Sequence, residues 1–191
     1  MENRKQILCI VDAQNDFITG PLSVKGADSA VDNIVKLLDT LKNTSAPTLI
    51  ITTMDTHNEN YLETKEGKNL PIPHCIKYTY GWSIDKRVAN AVIDCASSNK
   101  LISYVGLEKP TFGSLNLIKT ISEYVGKEPF TVTFVGFDTD ICVVSNALLI
   151  KTTFYAQADV YVSSGCCAGT TEERHNAALD VMRSCQISVE E

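Results

Sequence analysis

Six short, β-branched apolar runs separated by stretches of helical spacing leave this chain few folds to choose from. The runs are Ile7 to Val11, Thr48 to Thr53, Leu101 to Val105, Phe130 to Val135, Val160 to Ser163 and Ile187 to Val189. None alternates cleanly between apolar and polar residues, which predicts strands covered on both faces. Between them, Val31, Ile34, Val35, Leu38 and Leu41 form one helical stripe. Ile84 to Ala96, Ser114 to Tyr124, Ile141 to Tyr155 and Thr171 to Arg183 carry helical spacing too, the last opening on a capping-box pattern, Thr170-Thr-Glu-Glu173. Strand and helix in alternation predict an α/β fold of three layers, a mainly parallel sheet of about six strands with helices on both faces. The 191 residues, 44% of them hydrophobic, suffice for one full core, so 1–191 reads as a single domain.

Charge and cysteine usage narrow the function. A formal charge of −6 with no basic run argues against nucleic acid or an anionic membrane surface as partner. The seven cysteines, Cys9, Cys75, Cys95, Cys142, Cys166, Cys167 and Cys185, are an odd number without framework spacing, and no signal peptide or long apolar segment is present. A reducing, cytoplasmic setting is expected, with the six cysteines other than Cys142 serving as small buried hydrophobes.

In parallel sheets, ligands bind beyond the carboxyl ends of the strands. Asp12 ends the first run, Asp55 and His57 follow the second, Lys109 the third and Cys142 the fourth, so polar groups from distant parts of the chain converge on one edge. Cys142 lies where an apolar run breaks at Gly136 and a helix is expected from Asp140. There the positive end of the helix and unpaired backbone N–H groups would lower a thiol's pKa and make it a nucleophile. The same position suits an inert buried cysteine, and Asp12 taken alone could be a turn cap. A carboxylate, an ammonium and a thiol within mutual reach would instead supply a base, a charge stabiliser and a nucleophile.

A second group is Met54-Asp-Thr-His57 with His74 of Leu70-Pro-Ile-Pro-His-Cys75. In extended chain, residues two apart point to one side, so Asp55 and His57 could grip an ion that His74 closes from a loop. Oxygen and imidazole ligands suit Zn, Fe or Mn. Two surface histidines are the alternative. The loop from His57 to Trp82 is long for a compact domain, which favours a functional role. His175, within the last helical stretch, reads as structural.

Val11-Asp-Ala-Gln-Asn-Asp-Phe17, Gly20-Pro-Leu-Ser-Val-Lys-Gly-Ala27, Glu108-Lys-Pro-Thr-Phe-Gly-Ser114 and Gly136-Phe-Asp-Thr-Asp-Ile-Cys-Val143 together resemble the isochorismatase-like cysteine hydrolases, and among them most the nicotinamidases. The resemblance runs from about Ile7 to Arg183, with the motifs in family order. It implies an Asp12–Lys109–Cys142 triad, a cis peptide between Phe137 and Asp138, and an oxyanion hole from the backbone N–H groups of Asp138 and Cys142. It also implies one divalent ion, zinc, iron or manganese, on Asp55, His57 and His74, with Glu63 or Glu66 open as a fourth ligand. The expected reaction is hydrolysis of a small-molecule carboxamide through a thioester, nicotinamide to nicotinate and ammonia, by a homo-oligomer. The alternatives are a family amidase for ureido, carbamoyl or aliphatic amides, and a non-catalytic metabolite-binding relative. Two positions depart from the nicotinamidase pattern: Pro71 stands where an aromatic residue lines the ring pocket, and Thr56 where tryptophan is common. Phe17, Trp82 and Phe112 are the candidates for the aromatic walls of the substrate pocket.

Overall fold

The computed structural model describes residues 4–191. Six parallel strands form its sheet: β1 (Lys5–Val11), β2 (Thr48–Asp55), β3 (Ile102–Lys109), β4 (Phe130–Gly136), β5 (Ala158–Cys167) and β6 (Ser188–Glu190). Their spatial order is β3-β2-β1-β4-β5-β6. The chain builds outward from β1 to β3, then returns to lay β4 on the other side of β1. A crevice therefore opens beyond the carboxyl ends of β1 and β4, where the strand order reverses.

The helices are α1 (Asn15–Ile18), α2 (Ala27–Leu41), α3 (Lys65–Asn69), α4 (Lys86–Ser98), α5 (Leu115–Val125), α6 (Val144–Thr153) and α7 (Glu172–Ser184). The five longer ones divide between the two faces. Val31, Ile34 and Leu38 of α2 and Val88, Val92 and Cys95 of α4 pack with Leu8, Ile10 and Ile50. Leu117 and Ile121 of α5, Ile150 of α6 and Leu179 and Met182 of α7 pack with Ile7, Cys9, Val11 and Ile51. Successive residues of β1 thus enter opposite cores, which is why its run is continuously apolar rather than alternating. Each fully buried Val, Leu or Ile adds about 1.5–3 kcal/mol, so these two clusters dominate what holds the layers together.

Several sequence expectations need correction. The stretch from His57 to Trp82 carries a 3₁₀ turn (Tyr61–Glu63) and α3, because Thr64 caps α3 by accepting from Gly67 N at 3.0 Å. Before α6 the chain makes a π turn (Thr139–Val143) that contains Cys142. The capping box at Thr170 does not form: Thr171 caps α7, while Thr170 donates its N–H and hydroxyl to Asp140 at 2.8 and 2.6 Å. Cys185 is exposed, unlike the other six cysteines, since it follows α7 on the outer surface. Among the described residues no helix is long and apolar enough to cross a membrane.

Candidate active site

Two backbone features bring the ends of β1 and β4 together. Gly136 has φ 113°, and a Cβ there would collide with the Val11 carbonyl, so only glycine lets β4 close on β1 before it turns away. Phe137 N then donates to Val11 O at 2.9 Å. Asp12 takes up φ 47°, a left-handed conformation that aspartate tolerates better than most residues. The peptide between Phe137 and Asp138 is cis.

Lys109, the last residue of β3, reaches across the sheet edge to Asp12 Oδ2 at 2.6 Å and Cys142 Sγ at 3.4 Å. The side chains of both Lys109 and Asp12 are wholly buried. Thr53 donates its hydroxyl to Asp12 Oδ1 at 2.7 Å, and the buried Asp12 Oδ2 faces the Lys109 ammonium. Burial works against the Lys109 charge, yet Asp12, Cys142 and Asp55 outweigh it and raise its pKa. Burial raises the Asp12 pKa against the pull of Lys109. The Cys142 thiol is also pushed up, by burial first and then by the Asp12 charge, with Lys109 opposing. This runs against the lowering expected from the helix end, because burial and the Asp12 charge outweigh Lys109. The arrangement sets a thiol and a carboxylate beside one buried ammonium.

Asp55 at the end of β2 joins this group to a second one. Its Oδ1 faces Lys109 Nζ at 3.4 Å, while its Oδ2 lies 3.0 Å from His57 Nε2 and 3.3 Å from His74 Nε2. Glu66 Oε1 of α3 completes the cluster at 3.6 Å from His57 Nε2 and 4.0 Å from His74 Nε2. All four ligand atoms lie within 4.8 Å of one another. An ion about 2.0–2.2 Å from each nitrogen or oxygen ligand fits among groups so spaced, and two imidazoles with two carboxylates suit zinc, iron or manganese. His74 Nδ1 lies 2.8 Å from the Ile72 carbonyl, which can only accept, so Nδ1 carries the hydrogen and Nε2 presents its lone pair to the cluster. Between the two glutamates left open, the geometry selects Glu66; Glu63 is exposed.

The aromatic candidates lie apart from one another. Phe112 borders a cleft of about 710 Å³ with His57, Glu66, Leu70 and Ile141, the residue before Cys142. Phe17 is buried on the inner side of the cluster, its ring 6.0 Å from that of His74. Trp82 is absent from the cleft wall and donates Nε1–H to Thr56 Oγ1 at 2.9 Å. Three supporting residues had no role in the sequence reading. Gln14 clamps Asp55 at both backbone groups, accepting from its N at 2.7 Å and donating to its O at 2.9 Å. Tyr61, fully buried, packs its ring 4.7 Å from His57 and 5.0 Å from His74. Asn146 donates to the carbonyls of Cys142 and Phe112 at 2.8 and 3.0 Å, tying the Cys142 turn to the loop after Lys109. An amide directly after an apolar strand and one buried within a helix were the available signals for Gln14 and Asn146.

The sequence profile of the isochorismatase domain matches residues 6–191. No curated protein sequence matches the chain. Among solved structures, nicotinamidase/pyrazinamidase from Bacillus subtilis superposes with a TM-score of 0.79 at 21% identity, covering 98% of this chain and 100% of that one. Pyrazinamidase of Pyrococcus horikoshii, in complex with zinc, gives 0.73 at 22% identity over 97% and 98% of the two chains. N-carbamoylsarcosine amidase from Thermoplasma acidophilum gives 0.70 at 19% identity over 98% and 96%. At these identities the likeness is one of fold.

Proposed function

The chain belongs to the isochorismatase family, whose members are hydrolases, and from that premise we propose that it is a cysteine-dependent amidohydrolase converting nicotinamide and water to nicotinate and ammonia. The observation that carries this reading is Lys109, a fully buried ammonium within 2.6 Å of Asp12 and 3.4 Å of the Cys142 sulfur. A protein that only binds a metabolite has no use for a thiol so placed, since desolvating three ionisable groups costs several kcal/mol.

Asp12 takes the thiol proton as Cys142 Sγ attacks the carboxamide carbon, and Lys109 holds the charge that develops on both. The carbonyl electrons move onto oxygen, which the backbone N–H groups of Asp138 and Cys142 receive. The C–N bond then breaks as Asp12 returns its proton to the nitrogen, releasing ammonia and leaving a thioester on Cys142. Water attacks this thioester, Asp12 accepts its proton, and the acid departs as the thiol is restored. The raised proton affinity of a buried Asp12 suits a group that must receive and return a proton in each half-reaction. Asp55, His57, Glu66 and His74 would hold the divalent ion, which when bound supplies a Lewis-acid position for a ring nitrogen or a water. Phe112 on the cleft and Phe17 behind His74 would flank an aromatic ring there. Seven unpaired cysteines fit a reducing cytoplasm.

Pro71 in place of an aromatic wall favours keeping a second reading, a family amidase for ureido, carbamoyl or aliphatic amides. Steady-state kinetics on nicotinamide and benzamide separate the two. Benzamide keeps the amide and ring shape but has no ring nitrogen, so a site relying on that contact should turn it over at least about a hundredfold less efficiently. Comparable efficiency, or turnover of ureido or aliphatic amides alone, would replace nicotinamidase with the broader reading.

A further inference from the structure

Asp138 stands at the position before the π turn where an aspartate ordinarily caps a helix, yet its side chain caps nothing. Its backbone carbonyl accepts from Ile141 N and Val143 N, both at 3.0 Å, while its carboxyl points elsewhere. The residue is 6% exposed, and Oδ1 is buried with no partner among the described residues. A buried polar atom left unpaired costs about 1–3 kcal/mol, so one retained beside a catalytic thiol calls for a functional reason. The carboxyl lies within reach of the fields of Asp140, Asp12, His74 and Lys109, which belong to the turn itself, to the thiol group and to the imidazole cluster. Burial, followed by Asp140 and Asp12, pushes its pKa up to about 8, so the site disfavours its charge until a donor arrives.

We propose that the Asp138 side chain is a substrate-recognition group that accepts a hydrogen bond from the N–H of the scissile carboxamide, making the site selective for primary amides over esters of the same acid. The inference rests on the amidohydrolase reading. The backbone N–H of Asp138 is assigned there to the carbonyl oxygen of the substrate. The side chain leaves the Cα next to that N–H, and the amide nitrogen is the donor a carboxamide offers beside its carbonyl. An ester has only acceptors at that position and would leave Oδ1 as unpaired as before.

The test compares kcat/KM for nicotinamide and methyl nicotinate in the wild type, Asp138→Ala and Asp138→Asn, with iodoacetamide labelling of Cys142 as a check on the nucleophile. Asp138→Ala should lower the ratio of amide to ester efficiency roughly ten- to a hundredfold, with labelling unchanged. Asp138→Asn, which keeps an acceptor oxygen, should restore most of the amide activity. Equal losses on both substrates, with or without loss of labelling, would show a structural role and overturn the inference, as would no loss at all. If the wild type hydrolyses a different amide, that amide and its methyl ester replace the pair. A wild type inert to every amide and ester refutes the amidohydrolase reading itself, and this inference falls with it.

Discussion

Lys109 and Asp55 meet at 3.4 Å between Nζ and Oδ1, and through this contact the thiol group and the imidazole cluster share one carboxylate. Asp55 Oδ2 faces His57 and His74, while Lys109 faces Asp12 and Cys142. The two groups lie at the ends of β1, β2, β3 and the turn after β4, so a shift of any one strand end would disturb both.

Replacing Cys142 by alanine should abolish hydrolysis and leave the fold intact, and mass spectrometry of wild-type enzyme quenched during turnover should show an acyl adduct on Cys142. Lys109→Ala and Asp12→Asn should each lower turnover by orders of magnitude, with non-additive losses in the double variant. Lys109→Ala should also cost about 3–5 kcal/mol of stability, because it strands the buried Asp12 charge. Urea denaturation checks this, and a variant as stable as the wild type would count against a charged pair there.

Glu66→Gln should weaken binding of the divalent ion by about tenfold or more, whereas Glu63→Gln should leave it unchanged. Elemental analysis of protein purified without added metal, together with chelator competition, measures both, and His57→Ala/His74→Ala should lose the ion. Equal metal content in this double variant and the wild type would sink the assignment. Chelation should impair hydrolysis while Cys142 still reacts with iodoacetamide.

Gly136→Ala should destabilise the protein by about 2 kcal/mol or more and reduce turnover. At φ 113° the new methyl meets the Val11 carbonyl, forcing β4 away from β1 and Cys142 away from Asp12. Denaturation midpoints and kcat test it; a variant with wild-type stability would mean that the chain relaxes around the methyl.

Much of this was legible in the residue order, because local physics writes it there. The β-branched runs placed all six strands, with ends moved by a few residues, and the apolar stripes placed the five long helices. Asp12, Asp55, Lys109 and Cys142 were legible as a group because a parallel sheet brings its strand ends to one edge. What escaped reading depended on contacts between segments distant in sequence. Glu66 and Glu63 are equivalent in sequence, and only α3, capped by Thr64, turns one toward the histidines. Thr170 is drawn from the capping pattern to Asp140, thirty residues away. The Cys142 thiol, expected to be acidified by its helix, is instead governed by burial and by Asp12, just beyond β1. Periodicity and turn chemistry act over a few residues and so can be read along the chain. Desolvation and charge act through space, and only the folded neighbourhood sets them.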